Sequence, residues 1–399
     1  ARIHRELAQP KTCGIGYNSI RFDDEITRFA LWRSLRDPYG REWQNGNSRW
    51  DLLDVTRAFR ALRPAGIEWP EREDGFTSFR LEDLTAANGI EHGAAHDAMA
   101  DVVATIEIAK LLKHCDEGLF DTLHRQRTKR TVSGLVNLDE LTPLVHVSGM
   151  FGGARHNLAL VVPVAWHPKN NSELICVDLG KAPDFLDQPV ETLRQHLFTR
   201  QADLPEGVER PPIKTIRLNR APVLLPTHWV AGEVAESLGL DGDLHRRHLS
   251  LLREARANDP AGFVSRFQGL WQEQSFPERS DPDQLLYDGF VSDGDRSLCD
   301  QAIAEDPAAL TSQSFPFADE RLPEMLFRYR ARNFPDTLND AETAQWREHC
   351  QLQWQEGSFP LVQFETELAE ERARPEVTET TLTALNQLEE WVRALSVER

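Results

Sequence analysis

The chain of 399 residues lacks several patterns that would place a protein in a class at once. Its five cysteines are scattered without C-x-x-C spacing, which argues against a zinc site and against a disulfide scaffold. No apolar run approaches the roughly 18 residues of a membrane span, and no secretory signal pattern opens the chain. Internal repeats and low-complexity tracts are absent as well. We therefore expect a cytoplasmic globular protein of two or three domains, without membrane attachment.

The net charge of −19 is unevenly distributed along the chain. Residues 271–399 carry 11 basic and 27 acidic side chains, whereas residues 1–270 carry 34 and 37. The first two-thirds are thus close to neutral and include basic runs such as residues 124–130. Because the acidity is confined to one end, the overall charge does not exclude a phosphate-bearing partner.

The spacing of apolar residues changes twice along the chain. Residues 11–115 alternate strand-like and helical segments, which favours an α/β layer architecture. Short β-branched runs between about residues 117 and 225 favour a small barrel or sandwich, and helical spacing prevails from about residue 228. The stretch 277–284 is a candidate linker. We predict three domains, at residues 1–115, 117–268 and 275–399.

Several segments are specific candidates for strands or helices. The strand candidates are residues 12–18, 144–150, 158–167, 173–179 and 213–219. The helix candidates in the first domain are residues 23–35, 50–62, 78–90 and the segment that begins near Asp97.

His96 and Asp101 lie at the start of this last predicted helix. Positions five apart on a helix point about 140° away from each other, so these side chains converge only if His96 lies on the preceding loop. Gly93 favours such a loop. The alternative is that Asp97 caps the helix while His96 and Asp101 face solvent.

The sequence FDDE at residues 22–25 follows a predicted strand and opens a helix. Asp23 would then lie at the carboxyl edge of the sheet, where open α/β sheets place ligand groups. The alternative is that these acidic side chains only complement the helix dipole. Taken together, Asp23, Asp101 and His96 would form a divalent-metal site with a general base, and hard oxygen ligands suit Mg²⁺ or Mn²⁺. Two ions would need further carboxylates, for which the chain shows no convincing position.

Arginines and tryptophans in the same domain are candidate nucleic-acid contacts, because guanidinium groups bind phosphate and aromatic faces stack on unpaired bases. The candidates are Arg49, Arg57, Arg80 and Trp43. Arg80 is preferred because it shares a segment with His96 and Asp101. The alternative is that these are surface arginines and core tryptophans.

A second group of arginines lies in the acidic C-terminal region, at Arg328, Arg330 and Arg332. Their spacing is compatible with a patch that follows a phosphate backbone. Ion pairs with neighbouring aspartates and glutamates are an alternative at least as good.

The order of these motifs resembles that of the DEDDh superfamily of 3′→5′ exonucleases, which share an RNase H-like fold. From about residue 10 to beyond residue 350 the chain also resembles bacterial exonuclease I. The motifs that carry this resemblance are GYNSIRFDDE, NSRWDLLDV, GIEWPEREDGFTSFRLEDLTAANGIEH, AHDAMADV, LVHVSGMFG, VAWHP, LYDGF and YRARNFP. It implies an α/β RNase H-like exonuclease domain, truncated at its N-terminus, an SH3-like β-barrel domain and a C-terminal α-helical domain that together enclose a path for single-stranded DNA.

The same resemblance implies a function and roles for individual residues. Asp23 and Asp101 match metal-binding aspartates, with two Mg²⁺ ions expected and Mn²⁺ possible, and His96 matches the general base. The implied substrate is the 3′ end of single-stranded DNA, hydrolysed to 5′-mononucleotides in DNA repair and recombination. A family partner is the single-stranded-DNA-binding protein, whose acidic C-terminal tail would dock at Arg63. A monomer is expected.

One family motif, an Asp-x-Glu on the first strand, has no counterpart in this chain. The chain begins without methionine in what the pattern predicts to be the end of a helix. We therefore expect that part of the family fold precedes it, and that the chain as given binds metal poorly and has little or no activity. The alternative functions are a 3′→5′ exoribonuclease with the same catalytic residues and a catalytically inactive module that binds single-stranded DNA.

Overall fold

The computed structural model describes residues 2–90, 98–272, 280–357 and 359–398. The chain divides into two units, one of residues 1–27 and 39–278 and the other of residues 28–38 and 279–399. Within the described ranges, no helix combines the length and the apolar character that a membrane crossing needs. The three predicted domain boundaries stay a prediction.

The first unit begins with a pair of parallel strands and seven helices. Strand β1 pairs with β2 in a register that places Gly14 opposite Arg49. The elements are α1 (Arg2–Leu7), β1 (Cys13–Gly16), α2 (Asp23–Trp32), β2 (Ser48–Asp51), α3 (Leu52–Leu62), α4 (Leu81–Ala87), α5 (Ala98–Cys115), α6 (Glu117–Arg125) and α7 (Lys129–Ser133). The helix α2 reaches beyond Thr27, so its second half is counted with the second unit.

The helix α3 shows why these residues form this layer. Asp51 caps it, since its carboxylate accepts a hydrogen bond from the Leu53 amide, and the helix ends two residues before Pro64. Its apolar face buries Phe59 completely, in one core with Trp50 of β2 and Ile108 of α5. Each such large apolar side chain contributes about 1.5–3 kcal/mol on burial.

A five-stranded antiparallel sheet follows in the same unit, in the order β6-β5-β4-β3-β7. Its strands are β3 (Leu144–Val147), β4 (Leu158–Trp166), β5 (Glu173–Asp178), β6 (Ile213–Arg217) and β7 (Val223–Pro226). The helix α8 (Val190–Phe198) joins β5 to β6, and α9 (Glu233–Ser237), α10 (Gly242–Asn258) and α11 (Pro260–Gly269) follow β7. The strand β5 is buried along its whole length because apolar side chains cover both of its faces.

The second unit is helical over its C-terminal part. Its helices after the sheet-containing unit are α12 (Asp293–Ala304), α13 (Leu322–Asn333), α14 (Asp340–Glu356), α15 (Leu361–Arg372) and α16 (Glu379–Glu398). Asn339 and Glu342 form a capping box at the start of α14, which defines that helix end locally.

These observations confirm the predicted fold class of an α/β layer, a small β-structure and a helical C-terminal part. Three expectations within it were incomplete. The strand β7 lies outside the predicted strand segments, and β2 begins two residues before the predicted helix of residues 50–62. The helices α6 and α7 also lie where a β-rich texture was expected.

Candidate active site

The first turn of α2 carries three successive acidic residues with different surroundings. Asp24 is buried, and Arg41 and Arg49 donate to its two carboxylate oxygens at 2.8 and 2.7 Å. Glu25 is half-buried and forms an ion pair with Arg220 at 3.1 Å. The exposed carboxylate of Asp23 makes neither an ion pair nor a hydrogen bond to any residue that the structure describes. Of the three, Asp23 is therefore the carboxylate that is available to a ligand.

The loop that leads from β1 into α2 is held by Asp51. One carboxylate oxygen accepts from the amides of Asn18 and Leu53 at 2.8 and 3.0 Å, and the other accepts from the Ile20 amide at 3.1 Å. Burial raises the pKa of Asp51, although the three amide hydrogen bonds oppose this shift. This residue, which sequence analysis did not single out, fixes the backbone immediately before Asp23.

The second predicted metal ligand, Asp101, lies in the first turn of α5 and is half-buried. Its carbonyl oxygen accepts a hydrogen bond from the Thr105 hydroxyl at 2.7 Å. His96, the predicted general base, and Asp97, the predicted cap, lie outside the described residues. The predicted convergence of His96 and Asp101 therefore stays a prediction.

The donor chemistry of these two aspartates fits a hard divalent cation. Both offer carboxylate oxygens, which Mg²⁺ and Mn²⁺ prefer over the nitrogen and sulfur ligands of softer metals. In the part of the chain that the structure describes, no group of three or more histidine, cysteine, aspartate or glutamate side chains is arranged to hold a metal ion. The metal site thus rests on Asp23 and Asp101 as predicted ligands.

The predicted DNA contacts fall into exposed and enclosed residues. Trp43 is 65% exposed, and Arg80 is exposed beside Glu82, with which it forms an ion pair. Arg57 is half-buried, lies 5.5 Å from the ring centroid of Phe79 and pairs with Asp54. These positions leave Trp43, Arg80 and Arg57 as candidates for contacts with bases and phosphates.

Arg49 is different, because its guanidinium group is buried. It donates to Asp24 at 2.7 Å and to the Asn219 carbonyl oxygen at 2.7 Å, and it pairs with buried Glu42 at 3.2 Å. With its donors occupied inside the protein, Arg49 has a structural role in this geometry rather than the predicted contact with DNA.

The predicted docking residue, Arg63, is partly exposed. It donates to Asp116 at 2.8 Å and lies 5.4 Å from the ring centroid of Trp229. A guanidinium group held in place by an aromatic ring and a carboxylate is preorganised to bind a further carboxylate.

Lys214 of β6 is a further cationic residue that sequence analysis missed. Its Nζ lies 4.3 Å from the ring centroid of Phe151, and it has no hydrogen-bond acceptor among the residues described. Burial lowers the pKa of Lys214 to about 8. The only indication in the sequence was a lysine at the second position of the otherwise ordinary strand pattern IKTIR.

Three family models match the chain in succession. The model described as "Exonuclease" matches residues 1–109, "Exonuclease I SH3-like domain" matches residues 127–268 and "Exonuclease I C-terminal domain" matches residues 280–395. The fold and the first-turn carboxylates thus occur in an exonuclease with two accessory domains, which defines the class of the protein.

Two curated relatives narrow this class. The chain is 46% identical over 353 residues to exodeoxyribonuclease I of Escherichia coli K12, which covers 88% of this chain and 73% of the relative. It is 42% identical over 372 residues to exodeoxyribonuclease I of Haemophilus influenzae, which covers 92% of this chain and 77% of the relative. The chain belongs to the exodeoxyribonuclease I family.

Solved structures agree with this assignment. An exonuclease I from Methylocaldum szegediense superimposes with a TM-score of 0.92 at 41% identity, over 99% of this chain and 83% of that one. The zinc-bound form of an E. coli exonuclease I–single-stranded-DNA complex superimposes with a TM-score of 0.91 at 41% identity, over 98% of this chain and 82% of that one. A structure of SSB and exonuclease I with the inhibitor CFAM superimposes with a TM-score of 0.87 at 40% identity, over 98% of this chain and 82% of that one.

Proposed function

We propose that this protein is a 3′→5′ exonuclease that degrades single-stranded DNA to 5′-mononucleotides. The observation that carries the proposal is the succession of exonuclease, SH3-like and C-terminal family models along nearly the whole chain. The relative solved with single-stranded DNA supports the choice of substrate. A role in DNA repair and recombination is part of the proposal and follows from the family alone.

Asp23 and Asp101 are the proposed metal ligands. Two Mg²⁺ ions, or Mn²⁺ in their place, would supply Lewis-acid polarisation of the phosphodiester and a lowered pKa for an attacking water when bound. Asp23 suits this role because its carboxylate is exposed and unpaired among the described residues, whereas Asp24 beside it is neutralised by two arginines. Zinc in a related exonuclease I supports binding of a divalent cation by this family, and the identity of the ion is part of the proposal.

His96 is the proposed general base. It accepts a proton from the water as the water oxygen attacks phosphorus, and the bond from phosphorus to the 3′-oxygen of the preceding nucleotide breaks. That oxygen takes up a proton from solvent and becomes the hydroxyl of the new 3′ end, the proton on His96 returns to solvent, and the released product is a 5′-mononucleotide. An imidazole is suited to this transfer because its pKa lies near neutral pH.

Substrate binding is assigned to exposed and half-buried residues of the same region. Arg57 and Arg80 would contact phosphates, and the exposed ring of Trp43 would stack on a base. We propose that the acidic C-terminal tail of a single-stranded-DNA-binding protein docks at Arg63, because Trp229 and Asp116 hold its guanidinium group in place. The structure of SSB with exonuclease I supports a partner of this kind.

The proposal is tested by Mg²⁺-dependent release of mononucleotides from matched single-stranded DNA and RNA 18-mers labelled at the 3′ end. We expect release from DNA by a protein that also carries the family's Asp-x-Glu motif, little or no release by the chain as given, and a loss of release with EDTA. The variant His96→Ala should lower turnover by about 10²- to 10⁴-fold while DNA affinity measured in EDTA changes less than twofold. The matched control is His114→Ala, which removes an exposed histidine from the far end of α5.

Each outcome of this experiment is informative. Preference for RNA would favour the exoribonuclease alternative. DNA binding without release under any divalent cation would favour the inactive binding module. Full activity of His96→Ala would remove His96 from the mechanism while leaving the exonuclease assignment intact.

A further inference from the structure

We propose that the turn between β6 and β7, residues 218–220, is a positioning element of the exonuclease site, in which Arg220 fixes the first turn of α2 and thereby the placement of Asp23. The role of Asp23 as a metal ligand rests on the proposed function. The positioning itself is a mechanical property of the fold, and it can be tested separately.

The turn reaches both acidic residues that flank Asp23 on its C-terminal side. Nη2 of Arg220 donates to Oε1 of Glu25 at 3.1 Å. The carbonyl oxygen of Asn219 accepts from Nη2 of Arg49 at 2.7 Å, and Nη1 of the same arginine donates to Asp24 at 2.7 Å. One contact is therefore direct and the other passes through Arg49.

The turn is itself anchored in the β-sheet. Leu218 is completely buried in the core cluster that contains Leu224 and Ile216, and its amide donates to the Ser172 carbonyl oxygen at 2.8 Å. Ala221, directly after the turn, has a φ of 45°, a left-handed conformation that is unfavourable for alanine and persists where packing requires it. The sheet thus determines where Asn219 and Arg220 lie.

The charges around α2 explain why such an anchor is needed. Asp24 and Glu42 are buried with Arg41 and Arg49, so two carboxylates and two guanidinium groups share a site away from water. Buried ion pairs are strongly dependent on geometry, because a small displacement leaves a charge uncompensated. Connecting this cluster to a rigid turn restricts the first turn of α2 to one placement, which leaves Asp23 facing outward.

The first measurement is hydrogen–deuterium exchange at two amides of α2. The Asp24 amide donates to the Ser19 carbonyl at 2.9 Å and the Ile26 amide to the Phe22 carbonyl at 3.0 Å, so both report on the helix start. In Arg220→Ala we expect their exchange to be at least tenfold faster than in the wild-type protein. The matched control is Arg217→Ala. Arg217 is the last residue of β6, directly before the turn, but it pairs with Glu173 of the sheet.

The second measurement is the affinity for Mn²⁺ of a protein that also carries the family's Asp-x-Glu motif, determined by calorimetry without substrate. We expect Arg220→Ala to weaken Mn²⁺ binding at least fivefold and to lower kcat, while single-stranded-DNA affinity in EDTA changes less than twofold. Arg220→Lys should restore part of the affinity because it keeps the ion pair. The double variant Arg220→Met/Glu25→Gln removes both charges of the ion pair, so it separates the effect of charge from that of geometry. Its Mn²⁺ affinity should remain as low as that of Arg220→Ala.

These results distinguish failure of the inference from failure of the proposed function. Unchanged exchange in Arg220→Ala overturns the positioning role whatever the activity. Faster exchange with unchanged Mn²⁺ affinity, or recovery of affinity in the double variant, overturns the link between the turn and the metal ligand. If a protein that also carries the family's Asp-x-Glu motif releases no nucleotides, the proposed function is contradicted, and the exchange result then still decides the positioning role.

Discussion

Two helices of this protein each carry a group of three arginines, and the surroundings of the two sets differ. On α3 and at the residue that ends it, Arg57, Arg60 and Arg63 each lie against an aromatic ring, at 5.5, 5.9 and 5.4 Å from the centroids of Phe79, Trp69 and Trp229. All three residues are half-buried. We call this set the α3 arginines.

On α13, Arg328, Arg330 and Arg332 are held by carboxylates. Arg328 and Arg330 are buried, and the ion-pair partners of the set are Asp281, Asp283, Glu324 and Glu342. This arrangement confirms the ion-pair interpretation of the α13 arginines, because carboxylates of their own unit bind all three guanidinium groups.

The comparison shows that the number and spacing of arginines do not by themselves identify a phosphate-binding surface. The acidic excess of residues 271–399 supplies several partners for the α13 arginines. In the nearly neutral first part of the chain the α3 arginines lie on aromatic rings, and Arg57 and Arg63 each have a single carboxylate partner, Asp54 and Asp116. A guanidinium group on a ring keeps donors for a ligand, and one surrounded by carboxylates does not.

The largest effect is expected from removing an α13 arginine. Arg328→Ala leaves Asp281, Asp283 and Glu324 without their shared cation, so it should lower the free energy of unfolding by about 3–5 kcal/mol. Urea denaturation of the whole protein measures this loss. The control Arg374→Ala removes an exposed ion pair of α15 with Glu371 and should cost less than about 1 kcal/mol. Equal stability of both variants would contradict the structural role of Arg328.

A smaller effect, on binding rather than on stability, is expected for an α3 arginine. Arg57→Ala should weaken single-stranded-DNA binding about tenfold, or about 1.4 kcal/mol, and reduce the slope of log K against log salt by about 0.7. Fluorescence anisotropy in EDTA at several salt concentrations measures both quantities. The control Arg125→Ala, an exposed arginine of α6, makes the same change of charge and should leave the slope unchanged. An equal loss of DNA affinity in both variants would mean that Arg57 acts only through the net charge of the protein.

Much of the fold could be predicted from local patterns. Four of the five strands of the antiparallel sheet lie in the predicted segments, because alternating β-branched residues bounded by turns specify strands locally. The strand Val223–Pro226 was missed because it is short and follows Pro222. The strand Ser48–Asp51 was missed because Arg49 is buried in it, and its burial depends on Asp24 and Glu42, which are distant in sequence.

The candidate site was less predictable for a related reason. The acidic first turn of α2 is visible in the sequence, but which of its three carboxylates is available depends on partners elsewhere in the chain. Arg41 and Arg49 occupy Asp24, and Arg220 pairs with Glu25 from about 200 residues away. Only the three-dimensional arrangement leaves Asp23 without a partner among the described residues.

The smallest expected effect concerns the acid stability of the α13 ion pairs. A hydrogen bond from Arg330 holds the pKa of Glu342 below its ordinary value. Below about pH 4.5 the unfolded state therefore binds more protons at this residue than the folded state, so the stabilisation is complete above that pH and is lost as the pH falls through the folded pKa. Because glutamine cannot be protonated in this range, the stability advantage of the wild-type protein over Glu342→Gln should shrink between pH 6 and pH 3 in urea denaturation. An advantage that stays constant over this range would mean that Arg330 does not act through this carboxylate, which would weaken the contrast between the two sets of arginines.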